Sequence, residues 1–311
     1  MFMSKPIFCE LSRTGLLHFS GVDAQTFLHN QLSCDIGPLA GSRSTYGAYC
    51  TPKGRVLANF LLWRSEQDFF MQLPSSLREG IQKQLSKFIL RSKVKAADAT
   101  ADWAIIGVAG IGATGLVQLA VGLAPKGTLE VAHAPGATVI MVPGDRYEIV
   151  ASREKASQIM DSLSAAAERT DAEHWEWLDI RAGVPTVLPA TQEAFVPQMV
   201  NLDLIGGVSF EKGCYPGQEI VARMHYRGTL KQRMYLANLA SNDCPQPGEK
   251  IYSHDFGDQA CGTIVNAARA PEGGYDLLAV IQIASAEKGD VHWKSPDGPA
   301  LKLLQLPYSV T

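Results

Sequence analysis

The chain is short of charge, has no cationic excess and contains no long apolar run, and each shortage removes a class of function. Charged residues make up 19% of its 311 positions, with 28 basic against 31 acidic side chains and a formal charge of -3. No overall positive field exists to hold a phosphate backbone, so direct binding of nucleic acid is not expected. No unbroken apolar stretch approaches the ~18 residues of a bilayer-spanning helix, so no membrane partner is expected either. The opening Met-Phe-Met-Ser-Lys-Pro-Ile-Phe-Cys-Glu has no basic segment followed by an apolar core and does not read as a secretory signal. A cytoplasmic protein with reduced thiols is the expectation.

Familiar cofactor motifs are missing as well. Gly107-Val108-Ala109-Gly110-Ile111-Gly112 follows a strand-like segment but departs from G-x-G-x-x-G, and no G-x-x-x-x-G-K-[ST] is present. The six cysteines include no C-x-x-C pair. Cys9, Cys34, Cys50, Cys244 and Cys261 lack a His or Cys at the offsets that zinc or a complete iron–sulfur ligand set requires, so these five read as small buried hydrophobes and no metal ligand is expected. The acids Asp171, Glu173 and Glu176 read as a solvated helix face.

What is present is ample core material, 46% hydrophobic, in a chain longer than one core normally supports, so two or three domains are expected. Strand-like and helix-like stretches alternate first. Leu16–Phe19, Tyr46–Cys50, Arg55–Arg64 and Asp68–Leu73 read as strands, Asp23 as the N-cap of a helix, and Ser75 as the cap of another ending near Arg91. The grammar repeats with strands at Trp103–Val108, Thr138–Val142 and Tyr147–Ala151, a helix at Ala113–Val121 and an alanine-rich helix over Arg153–Arg169. After Lys231 only strands are expected, at Arg233–Leu239, Gly262–Ala268 and Asp276–Ile283. The fold class is α+β: two antiparallel sheet-plus-helix modules, residues 1–98 and 99–230, followed by a small closed β-barrel over 231–311.

Chemistry concentrates in Lys212-Gly213-Cys214-Tyr215-Pro216-Gly217-Gln218-Glu219. Gly213 and Gly217 permit tight turns, Pro216 suits the start of a helix, and Gln218–Arg223 reads as that helix. Cys214 then lies before a helix N-terminus, with Lys212 as a mobile positive charge, a setting that favours a thiolate. The competing reading is a turn that merely tolerates cysteine. Arg223, His225, Tyr226 and Arg227 follow; the arginines are either solvated or placed to receive the carboxylates of an anionic ligand such as a glutamate tail. Upstream, His174–Gly183 reads as a helix carrying Trp175 and Trp177, either both in the core or one offering its ring to a stacked aromatic ligand.

The stretch Phe195-Val196-Pro197-Gln198-Met199-Val200-Asn201-Leu202 and Gly206-Gly207-Val208-Ser209-Phe210-Glu211 through Glu219, continuing Val221-Ala222-Arg223, resembles the YgfZ family of folate-binding proteins. Gly21-Val22-Asp23-Ala24, Ala48-Tyr49-Cys50-Thr51-Pro52-Lys53-Gly54-Arg55 and Leu306-Pro307-Tyr308-Ser309 extend the likeness over essentially the whole chain. The resemblance implies a three-part molecule similar to the aminomethyltransferase of the glycine cleavage system, with a folate-type cavity. It implies tetrahydrofolate or a related folate as cofactor, Trp175 and Arg223 as folate contacts, and Cys214 as the functional cysteine. Lys212, Gly213, Tyr215, Gly217, Gln218 and Glu219 complete its motif. It also implies iron–sulfur enzymes or their assembly proteins as partners, including enzymes of tRNA modification, with an aminomethyltransferase-like one-carbon enzyme as the alternative. Thr14 stands where some relatives carry a folate-contacting tryptophan, Arg181 replaces a common glutamate, and Glu79 is the lone acid between Leu73 and Gly80.

Overall fold

Runs of alternating apolar residues form the expected antiparallel ladders, and their two faces decide where everything else goes. The structure is a computed structural model that describes residues 5–310. Contacts divide the chain into two compact units, one of Met1–His29, Asp35–Thr45 and Phe60–Trp175, the other of Asn30–Cys34, Tyr46–Asn59 and Glu176–Thr311.

The first unit contains a six-stranded sheet ordered Glu168–Arg169, Ile7–Glu10, Trp103–Ala109, Arg146–Ser152, Ala137–Val142 and Val131–Ala134. All its pairs are antiparallel except the first. Ile106, Val108, Tyr147 and Ile149 point to one face, where the helices Ala113–Val121 and Arg153–Ser164 bring Val117, Ile159 and Leu163 to close a core. Period two then sends Gly107, Arg146 and Glu148 to the opposite face. A second ladder places Thr14–Ser20 between Asp68–Pro74 and Lys95–Asp98, and pairs Leu61–Ser65 with Asp68–Gln72.

The second unit holds another six-stranded antiparallel sheet, ordered His292–Trp293, Lys250–Tyr252, Gly262–Arg269, Tyr275–Gln282, Gln232–Leu239 and Leu301–Leu304. Tyr275–Gln282 is buried on both sides, Leu278 and Val280 in one core, Leu277, Ala279 and Ile281 in the other. That explains its nearly continuous apolar run. The edge strands meet through the isolated bridge His292 to Ala300, with bonds from Leu301 N to Val291 O, 2.8 Å, and Trp293 N to Pro299 O, 2.9 Å, so a short contact in place of a continuous ladder joins them, a half-barrel and not the fully closed barrel expected.

Several local expectations need correction. The helix from Arg153 stops at Ser164 because Glu168–Arg169 is recruited as a strand beside Ile7–Phe8. The helix from Ser75 ends at Ser86, and its cap position is Pro74, with no side-chain cap bond. Asp23 does precede the helix Ala24–Gln31, but its carboxylate accepts from the Lys93 N–H, 2.7 Å. Beyond Lys231 the chain is not strands alone, since Ile283–Lys288 forms a short helix.

Candidate functional site: the Cys214 loop and the Trp175 face

The helix of the cysteine motif spans Gln218–Tyr226 and is preceded by Gly217 at φ 86°. Left-handed backbone favours glycine there, and space enforces it: a Cβ on Gly217 would lie 2.4 Å from the Thr51 carbonyl oxygen and 2.6 Å from Gly54 Cα. The turn Thr51-Pro52-Lys53-Gly54 is thereby pressed against the helix start. Pro216 stands before the cap, not at the first helical position as expected, and the Gln218 N–H donates to the Tyr215 carbonyl, 3.1 Å.

Cys214 is exposed, whereas Cys9, Cys34, Cys50 and Cys261 are buried and Cys244 is exposed. Lys212 does not supply the mobile charge expected of it. Only 8% exposed, it donates from Nζ to the carbonyls of Leu32, 2.7 Å, and Cys34, 3.0 Å, and lies 5.3 Å from the centre of the Tyr215 ring. An ammonium in an apolar interior must find such acceptors, so the lysine clamps the loop to the segment Asn30–Cys34. Gln218 adds a bond from Nε2 to the Lys212 carbonyl, 3.3 Å. Gly213 faces open space. Sulfur exposure therefore comes from a loop whose flanking residues are tied down.

Beneath the loop, burial pushes the Cys50 thiol up to about 12, and it raises the Tyr215 hydroxyl, with Cys50 and Cys34 adding to the latter. Tyr215 Oη is buried with no hydrogen-bond partner. The hub of this region is Ser33, which sequence reasoning missed. Its hydroxyl donates to Gly207 O, 2.6 Å, and accepts from Ala48 N, 2.8 Å, while its carbonyl accepts from Ser209 N, 2.9 Å. An isolated serine carries no signal of that kind in the sequence. The motif asparagine Asn201 sits in the left-handed region, φ 58°, and donates to the Met234 carbonyl, 2.9 Å.

The remaining motif side chains are occupied at the surface. Arg223 pairs with Glu219 one turn back, 2.8 Å, both exposed, a contact worth ~0.3–0.5 kcal/mol. The contacts of His225 are with Phe210, stacked at 3.8 Å, and Tyr226.

Trp175 and Trp177 share the helix Ala172–Arg181 and have different fates. Trp177 donates from Nε1 to Asp276, 2.8 Å. Arg181 lies 3.5 Å from the same carboxylate, and Asn238 donates to its other oxygen, 2.8 Å. Arg181 thus offsets a buried acid. Trp175 is buried, with its ring laid on Gly107 so closely that a Cβ there would come within 2.5 Å. The Arg146 guanidinium sits over the ring at 4.7 Å. Glu148, paired in register with Gly107, shares that face and accepts from Gln72 Nε2, 2.7 Å. Trp175 Nε1 and Gln72 Oε1 are buried without partners, a donor and an acceptor on one polar, aromatic face. Thr14 occupies the first residue of its strand, half-buried. A cleft of about 380 Å3 bounded by Arg43, Lys126 and Glu130 is lined by none of the expected site residues.

Comparison with known proteins places the chain among relatives over about 95% of its length. The GCVT N-terminal domain family matches residues 3–176. The tRNA-modifying protein YgfZ of Shigella sonnei is 30% identical over 300 residues, covering 95% of this chain and 91% of that protein. The protein of the same name from Klebsiella pneumoniae is 29% identical over 299 residues, covering 95% and 90%. Among solved structures, the glycine cleavage system aminomethyltransferase T from Bartonella henselae superposes with a TM-score of 0.79 at 15% identity, over 99% of this chain and 87% of that one. The mixed α+β architecture is therefore the aminomethyltransferase fold.

Proposed function

The chain belongs to the YgfZ family, and from that premise we propose that it is a folate-binding accessory factor for the assembly or repair of iron–sulfur enzymes, among them enzymes of tRNA modification. It acts through Cys214 rather than as a conventional aminomethyltransferase. The observation that carries the reading is the exposed Cys214 sulfur on a loop held by the buried Lys212 clamp and the Gly217–Gly54 contact. A soft sulfur donor open to solvent suits transient ligation of iron or sulfur exchange. One cysteine does not complete a cluster, so a partner protein or a small thiol supplies the other ligands.

The Trp175 face fits a folate. A buried indole N–H, an orphaned amide oxygen and a buried carboxylate suit a flat heterocycle bearing both donors and acceptors, with Trp175 and Glu148 as its contacts, and Arg223 is a separate candidate for an anionic group. Tetrahydrofolate, when bound, would supply ring and side-chain nitrogens able to accept a one-carbon unit. Within this reading the chain has three sequential parts, 1–98, 99–230 and 231–311, and the protein is cytoplasmic. Against aminomethyl transfer stands Glu79, which is exposed and held in its anionic form by Lys83, its pKa lowered first by that hydrogen bond.

Replacing Cys214 by Ser or Ala in cells and assaying [4Fe–4S] enzyme maturation tests the central claim; unchanged maturation removes it. A reduced folate is expected to quench tryptophan fluorescence, and Trp175→Ala to weaken its binding. Formation of methylene-tetrahydrofolate from an aminomethyl donor at useful rates favours the one-carbon enzyme instead.

A further inference from the structure

The sequence offers no metal-ligand spacing, yet the half-barrel brings two imidazoles and a carboxylate together at one edge. The strand pair Tyr252 to His292 places His254 close to His292, and Gly289, at φ 72°, ends the helix Ile283–Lys288 and delivers Asp290. The ligand atoms of His254, Asp290 and His292 all lie within 4.8 Å of one another. We propose that these three residues form a binding site for a first-row divalent transition-metal ion of the zinc class, a site beyond the folate and thiol chemistry above.

Hydrogen bonds to outer acceptors decide which nitrogens face the ion. His292 Nδ1 donates to the Gly298 carbonyl, 2.9 Å, which only accepts, so that nitrogen keeps its proton, and Nε2 is the nitrogen that would exchange its proton for the ion. Nε2 lies 2.8 Å from Asp290 Oδ1. His254 repeats the arrangement: Nε2 lies 3.2 Å from the Asp297 carboxylate, and Nδ1 2.9 Å from Asp290 Oδ2. An outer acceptor on the far nitrogen of each ligating histidine is the usual support of a metal site. Gly298 secures its carbonyl through a tight turn, since a Cβ there would meet the Trp293 carbonyl oxygen at 1.9 Å.

The dimensions fit with a small movement. Bonds of about 2.1 Å in a tetrahedral site separate neighbouring ligand atoms by about 3.4 Å, wider than the two nitrogen–oxygen spacings of 2.9 Å and 2.8 Å and inside the 4.8 Å that bounds all three atoms, and rotation of the half-exposed His254 and Asp290 side chains adjusts them. Two imidazoles and one carboxylate select zinc, cobalt or nickel over calcium or magnesium, and leave a position for water. His254, 56% exposed, gives the entry path.

The test uses tag-free, full-length protein titrated calorimetrically with Zn2+, and with Co2+ followed by absorption. One equivalent is expected to bind, with a Co2+ spectrum free of thiolate charge transfer and a zinc-dependent rise in melting temperature. His254→Gln and Asp290→Asn are each expected to weaken Zn2+ binding by at least about tenfold, with Cys214→Ser leaving it unchanged. His254 is exposed, so its replacement keeps the test valid even where Asp290→Asn disturbs folding. Absence of saturable binding, binding that survives His254→Gln, or binding that vanishes with Cys214→Ser overturns the proposal.

Discussion

Gly217 and Gly54 meet backbone to backbone: any side chain on Gly217 would place its first carbon 2.6 Å from Gly54 Cα. This contact joins two segments far apart in sequence, the Thr51–Arg55 turn and the entry to the Gln218–Tyr226 helix, and it sets how the cysteine loop leaves the surface.

Gly217→Ala is expected to destabilise the protein by about 2 kcal/mol or more, from a positive φ and a backbone clash together. Gly213→Ala, one residue before Cys214, places its Cβ in open space and is expected to be near neutral. Chemical denaturation of the two variants checks the contrast; equal losses would show that the loop lacks the geometry described.

Lys212→Met removes the ammonium from two carbonyls, and a cost of about 1–3 kcal/mol is expected, with faster proteolysis of the Cys214 loop. If Lys212 were instead a mobile activator of the thiol, stability would stay unchanged and only sulfur reactivity would fall.

Alkylation of the native protein with a bulky maleimide is expected to modify Cys214 and Cys244 and to spare the four buried thiols. Peptide mapping reads the outcome. Cys50, pushed up to about 12 by burial, remains a neutral thiol at physiological pH and is expected to react only on unfolding.

The same burial gives a pH dependence. The folded Cys50 thiol keeps its proton up to about 12, whereas an ordinary cysteine thiol loses it near 9.0, so between these two values the unfolded chain binds fewer protons than the folded one. Stability contributed by the neutral thiol is complete below the lower value and falls as pH rises, by up to about 1.4 kcal/mol per pH unit. Denaturant midpoints measured from pH 8 upward are expected to decline, and Cys50→Ala to flatten the decline.

Local pattern carried much of the fold. The helix Ala113–Val121 and the strands Trp103–Ala109, Ala137–Val142, Arg146–Ser152 and Gly262–Arg269 match their sequence readings to within a residue or two, since buried faces impose period two or 3.6 on the chain directly. The strands Ile7–Glu10, Lys95–Asp98 and Leu301–Leu304 are too short for an alternation to register.

For the candidate site, the sequence by itself determined which residue types stand together: an exposed cysteine among glycines, a lysine two residues before it, and a tryptophan on a helix. Only the tertiary structure decided their tasks. It turned Lys212 inward to carbonyls contributed by residues 32 and 34, set Trp175 on Gly107, gave Arg181 a buried acid to balance, and gathered His254 with Asp290 and His292. Propensity and periodicity act over a few neighbouring residues, whereas a buried charge is satisfied by whatever acceptor the folded chain brings near, however distant in sequence.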